Sequence, residues 1–151
     1  MKNRFLDLGM QPIANNFLKE IPENEFKFHL TVSYDDETSL VSLDDFVPPE
    51  LMFNENYVYH SSMSKTMRDH FLSGANHLKN ILNPKSVLEI GSNDGVFIKN
   101  FDPATTVAVE PCGNFADLTN EMGYQTYCNF WTKDIVEKIV QTGKKDLIFS
   151  A

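Results

Sequence analysis

From residue 85 onward the apolar residues come in short runs, separated by stretches in which they recur at helical spacing. The runs at 86–90, 105–109, 125–128 and 146–150 predict strands, and the stretches at 96–101, 114–122 and 132–142 predict helices. Such alternation implies a parallel sheet covered on both faces and joined by right-handed crossovers. A longer helix is predicted just ahead, over about 64–82. Ser61, Ser62 or Ser64 caps it, Met67, Phe71, Leu78, Ile81 and Leu82 recur along one side, and Asn83-Pro84 ends it. Residues 1–60 read differently. Their apolar clusters are short and broken by Pro12, Pro22, Pro48 and Pro49, with strand-like stretches at 26–32 and 40–43. The expected fold is therefore α/β: a partial Rossmann-like sheet of four parallel strands with flanking helices over 61–151, preceded by a small, loop-rich β module over 1–60.

Candidate chemistry gathers where the first strand of that sheet ends. Val87-Leu88-Glu89-Ile90 runs into Gly91-Ser92-Asn93-Asp94-Gly95, with a helix expected from about Val96. In an open parallel sheet the first such turn is where ligands bind, because backbone N–H groups and a helix N-terminus face the crevice there. Gly91 and Gly95 allow a sharp turn and close approach of a ligand. Glu110 stands 19 residues past Gly91, at the tip of the second strand, where a carboxylate reaches both hydroxyls of a ribose. The spacing bears on the ligand. A dinucleotide turn needs Gly-x-Gly-x-x-Gly so that bare backbone meets a pyrophosphate, whereas here Asn93 fills the middle position. Glu89-x-Gly91-x-x-x-Gly95 instead resembles the Glu/Asp-x-Gly-x-x-x-Gly turn of S-adenosylmethionine-dependent methyltransferases. Their ligand carries a sulfonium cation and no phosphate, so the acidic side chains Glu89 and Asp94 suit it and would repel a pyrophosphate. The plainer alternative is a turn whose glycines serve packing alone.

Composition adds boundaries. The chain of 151 residues has a formal charge of −8, and residues 1–60 hold four Lys/Arg against eleven Asp/Glu. An acidic front segment argues against nucleic acid or anionic lipid as partners. No apolar run approaches the ~20 residues of a membrane span, and no signal-peptide pattern opens the chain. Two cysteines, Cys112 and Cys128, without framework spacing, fit a reducing, cytoplasmic setting.

Three segments together resemble one family, the C-methyltransferases acting on nucleotide-linked deoxysugars. They are Leu6-Asp7-Leu8-Gly9-Met10-Gln11-Pro12-Ile13-Ala14-Asn15-Asn16-Phe17, Tyr57-Val58-Tyr59-His60-Ser61-Ser62-Met63-Ser64, and Glu89 to Gly95 followed by Val109-Glu110-Pro111. The resemblance implies a three-part chain: an N-terminal zinc-binding module, a central Rossmann-like methyltransferase domain, and a C-terminal domain. On that reading 1–60 is a degenerate zinc-binding-like module and 61–151 the first half of the methyltransferase domain. The sequence departs from the family pattern in two ways. Asp35 and Thr38 stand where the family places cysteines, and only His29 and His60 are available among residues 1–60, so no structural zinc is expected. The family's presumed base, a histidine, falls beyond Ala151. The isolated chain is therefore expected to bind the donor and turn over slowly, and the open edge of the fourth strand invites self-association or a partner chain.

Site roles follow as expectations. Gly91, Ser92, Asn93, Asp94 and Gly95 line the amino-acid and ribose parts of S-adenosylmethionine, and Glu110 takes the ribose diol. Glu89 orients water or the ligand's ammonium, or partners the helix N-terminus. Phe130 or Trp131 edges the adenine, or belongs to the core. Tyr57, Tyr59 and His60 are the candidates on the acceptor side, where Tyr57 or Tyr59 hydrogen-bonds a sugar hydroxyl or supports proton transfer. Their alternative is ordinary strand alternation. His70 reads as a surface or packing residue. Two further functions compete: a non-catalytic nucleoside-binding module that needs a partner chain, and a nicotinamide-dependent oxidoreductase, against which Asn93 speaks.

Overall fold

The computed structural model describes residues 1–151, which form two compact units, Met1–Phe53 and Asn54–Ala151.

The first unit is a three-stranded antiparallel sheet in the order β1 (Lys2–Pro12), β2 (Lys27–Asp35), β3 (Val41–Leu43), followed by one helical turn, α1 (Pro49–Met52). The long first strand is absent from the expectations above, and its local geometry says why. Pairing with β2 is interrupted between Arg4 and Leu6 and again between Asp7 and Met10. Each bulge resets which face the side chains meet, so no simple alternation survives in the sequence. At the second interruption Gly9 takes φ +67°, its N–H donates to Asp7 Oδ1 at 2.9 Å, and His29 Nε2 meets the same oxygen at 2.7 Å.

The second unit opens with residues 54–64 and the helix α2 (Lys65–Leu82), capped at its start by Ser64 Oγ, which accepts from Met67 N, and ended by Asn83 in the left-handed conformation. The four expected strands follow as β4 (Val87–Ile90), β5 (Thr106–Val109), β6 (Gln125–Tyr127) and β7 (Leu147–Ser150), all parallel, in the order β6-β5-β4-β7. Helices α3 (Gly113–Glu121) and α4 (Lys133–Gln141) make the later crossovers. The sheet is covered on both sides. Leu88, Val107 and Val109 pack with Ile135 and Ile139 of α4, while Val87, Ala108 and Leu147 pack with Phe71 and Ala75 of α2 and with Val96, Phe97 and Ile98. Because β5 and β6 lie to one side of β4 and β7 to the other, the strand order reverses at β4. Ligands bind at such a reversal, beyond the carboxyl ends of the strands.

One expected helix is missing. Residues 96–101 form only a short 3₁₀ turn at Ile98–Asn100. Val96, Phe97 and Ile98 are all buried, which leaves no polar face for a surface helix. The Asn100 side-chain amide donates to the carbonyls of Val96 and Phe97 at 3.2 and 2.8 Å, and Phe97 O also accepts from Asn100 N at 3.1 Å in the 3₁₀ pattern, so the Val96 carbonyl is taken by a side chain. The turn at Gly91–Gly95 therefore has no α-helix N-terminus behind it, contrary to the sequence reading.

Candidate functional site

The turn after β4 is built from left-handed residues. Gly91 and Gly95 have φ +76° and Asn93 has φ +48°. At Gly91 a Cβ would meet open space, so bare backbone faces outward. At Gly95 it would lie 3.0 Å from Thr119 Cγ2, so this glycine serves packing against α3. Glu110, at the end of β5, is buried and grips the turn from the side: Oε2 accepts from Asn93 N at 2.7 Å and Oε1 from Cys112 N at 2.8 Å. The carboxylate placed by sequence at the strand tip thus joins two loops of its own chain. Each oxygen keeps further acceptor capacity for a ligand hydroxyl.

Glu89 and Asp94 lie close by. Glu89 is 2% exposed and its Oε2 has no hydrogen-bond partner; Ser92 Oγ and Asp94 Oδ1 are likewise buried and unpartnered. Burial pushes the Glu89 carboxyl well above the usual carboxylate range. A backbone hydrogen bond from Ile98 works the other way, and the charges of Glu110 and Asp94 add to the rise. Three acidic side chains and a buried hydroxyl thus lie around one glycine turn, surroundings that favour a cation.

The segment bearing Tyr57, Tyr59 and His60 is fastened to this turn, a link that sequence reasoning did not find. The side-chain amide of Asn93 works in both directions, accepting from Ser61 N at 2.9 Å and donating to the Tyr59 carbonyl at 2.9 Å. Asp94 Oδ2 accepts from Ser62 N at 3.0 Å and lies 3.6 Å from His60 Nδ1. Asn114 Nδ2 donates to the Tyr57 carbonyl, and the rings of Tyr57 and His60 meet Phe115 edge-on, with centroids 6.2 and 4.7 Å away. Asn93 and Asp94 therefore position this strap. The sequence signal that could have exposed the link is slight: an Asn-Asp pair in a glycine turn has side chains free to bond elsewhere.

The remaining candidates are further out. Phe130 is partly buried in the loop after β6, a loop joined to Glu110 through Asn129 N and the Glu110 carbonyl at 3.2 Å. Trp131 is 43% exposed. Cys112 is buried, and burial, then Glu110, pushes its thiol up to about 12, so it is no nucleophile at neutral pH. His70 sits exposed on α2 with its ring against Phe71. No helix is long and apolar enough to cross a membrane.

Residues 1–53 match the family model Methyltransf_13, described as "Putative zinc binding domain". No curated protein matches the chain. The match covers about a third of the sequence and places a methyltransferase-associated module at its front.

The residues present do not fit the metal that this description names. Residues 1–53 contain no cysteine and one histidine, His29, whose ring is engaged with Asp7. No group of three or more His, Cys, Asp or Glu side chains converges closely enough to hold a metal ion. At the β2–β3 turn Asp35 Oδ1 instead accepts from the N–H groups of Glu37 and Thr38 at 2.8 and 3.3 Å, closing the loop with a carboxylate.

Proposed function

We propose that this protein is an S-adenosylmethionine-dependent methyltransferase of the sugar C-methyltransferase type, which places a methyl group on a carbon of a nucleotide-linked deoxysugar. The observation that carries the donor assignment is the trio of buried carboxylates, Glu89, Asp94 and Glu110, around a glycine turn that lacks both the middle glycine and the α-helix N-terminus a pyrophosphate requires. The methyltransferase-associated module at residues 1–53 supports the reaction class. The likeness of the strap to the family's acceptor-side segment supports the sugar.

When bound, the donor supplies an electrophilic methyl group on sulfur. The chain's own part is to hold and orient. Gly91 admits the ligand without a Cβ in the way, Glu110 offers its spare lone pairs to the ribose hydroxyls, and Glu89 and Asp94 have unpartnered oxygens to offer the cationic end. Tyr57 and Tyr59 reach the same turn through the strap and form the acceptor side, where a proton must leave the accepting carbon.

Calorimetric titration of the full chain is expected to show S-adenosylmethionine or its demethylated product binding at least about tenfold more tightly than NAD, a difference of about 1.4 kcal/mol. Equal or tighter NAD binding would refute the donor assignment. Labelled donor incubated with nucleotide-linked deoxyketosugars then tests the acceptor.

A second outcome concerns Glu89. Its carboxyl titrates higher in the fold than in the unfolded chain, so the stability it contributes is full below its ordinary value of 4.5 and is lost as pH rises through the raised one. Glu89→Gln has no charge to bury. We expect it to be the more stable form at pH 8, with the advantage vanishing near pH 4, while its affinity for the sulfonium ligand falls. Thermal melts across that range check the sign; a variant less stable than wild type at pH 8 would overturn it.

A further inference from the structure

We propose that His60 receives the carboxylate at the amino-acid end of the nucleoside ligand, with Asp94 fixing the imidazole that does so. The proposal rests on the reading of the turn as an S-adenosylmethionine site and assigns the one part of that ligand the acidic pocket opposes. The Asp94 and Glu110 carboxylates, with the buried Glu89 carboxyl beside them, suit its ammonium and sulfonium. Its own carboxylate has to meet a donor, or it is repelled.

Three backbone donors of the turn are committed. Gly91 N donates to the Val109 carbonyl at 2.8 Å, Asn93 N to Glu110, and Gly95 N to the Ser92 carbonyl at 3.0 Å. On the strap, Ser61 N and Ser62 N donate to Asn93 and Asp94. Arg68 is committed too, with Nη1 donating to the carbonyls of Ser62 and Met63. Among the side chains, the unpartnered Ser92 hydroxyl and the imidazole of His60 remain.

His60 is held for this task from three sides. Asn93 grips the backbone on either side of it, through the Tyr59 carbonyl and Ser61 N; Phe115 supports the ring at 4.7 Å and 80°; and Asp94 Oδ2 lies 3.6 Å from Nδ1. The Asp94 side chain is 2% exposed while that of His60 is 43% exposed, so a fixed carboxylate backs an imidazole open to a ligand. An imidazole between two carboxylates, Asp94 at Nδ1 and the ligand at Nε2, satisfies both as imidazolium, which donates from each nitrogen. Asp94 is then a positioning residue that also anchors the strap through Ser62.

The test compares S-adenosylmethionine with 5′-methylthioadenosine, which keeps the nucleoside and lacks the amino-acid end, on the full chain by calorimetry. In His60→Phe, which keeps a ring against Phe115, and in His60→Gln, affinity for S-adenosylmethionine is expected to fall about tenfold, with 5′-methylthioadenosine binding as in wild type. Thermal melts confirm that both variants fold. Undiminished S-adenosylmethionine binding in the variants, or an equal loss for both ligands, would overturn the role of His60 and leave the donor site standing. A wild-type chain that binds neither ligand would overturn the donor site and His60's role with it.

Discussion

Glu110→Ala is expected to destabilise the Asn54–Ala151 unit by about 2–6 kcal/mol and to abolish nucleoside binding in the same step. The carboxylate is 4% exposed and accepts from two backbone donors, Asn93 N at 2.7 Å and Cys112 N at 2.8 Å. Removing it leaves two N–H groups without an acceptor, each costing about 1–3 kcal/mol. Relief of repulsion with Glu89 and Asp94 offsets only part of this, because those acids are coupled to Glu110 through space while the N–H groups touch it. Asn93 also loses the bond that holds its left-handed backbone, and with it the grip on Tyr59 and Ser61. Glu110→Gln separates the two effects: one amide oxygen still accepts, while the amide nitrogen faces a donor, so an intermediate loss is expected. Urea unfolding and ligand titration of both variants are the measurements. An alanine variant within about 1 kcal/mol of wild type that still binds S-adenosylmethionine would show that the two loops hold without Glu110.

The other large effect lies in the core. Phe97→Ala is expected to cost about 3–5 kcal/mol, the usual range for emptying a buried aromatic site. Phe97 is fully buried and stacks on Phe149 of β7 with centroids 3.8 Å apart and planes 15° apart; Phe101 and Phe71 stand at 5.2 and 6.2 Å. It is the main anchor of a segment whose helical bonding is limited to one short 3₁₀ turn, so packing carries much of what keeps residues 96–101 against the sheet. Phe97→Leu refills most of the volume and should recover more than half of the loss. A cost below about 1 kcal/mol for the alanine variant would mean that the surrounding rings close over the gap.

Strands β4, β5 and β7 were legible because each is a short, mostly apolar run bounded by turn residues, whereas β6, Gln125-Thr126-Tyr127, buries one residue fully and leaves a weaker trace. The β1 strand was not legible, since Phe5, Leu6, Leu8 and Met10 are exposed to differing degrees along a strand twice bulged. The helix predicted at 96–101 failed for the opposite reason. Val96, Phe97 and Ile98 satisfy an apolar pattern, but all three are buried, and the Asn100 side chain takes the Val96 carbonyl that an α-helix would use. At the site, Gly91, Asn93 and Glu110 fall together as their spacing implied. That both Glu110 oxygens first serve the chain's own N–H groups is invisible in sequence, because a carboxylate at a strand tip looks the same whichever donors reach it. The bond between Asn93 and the strap spans 32 residues of chain, and no local pattern encodes it.

The position of β4 between two later strands also sets an order of assembly. Val87 pairs with Thr106 on one side, 19 residues on, and with Leu147 on the other, 60 residues on. Closing the longer loop costs about 1 kcal/mol more in chain entropy. The strap, the glycine turn and Glu110 all lie on the side of the shorter closure. Folding from the N-terminus as the chain is synthesised, the hydrogen bonds that shape the pocket can close once residues 57–112 have emerged, before β7 docks and Phe149 stacks on Phe97. On this order, substitutions at Glu110 or Asn93 should slow folding, whereas those at Phe149 should mainly hasten unfolding.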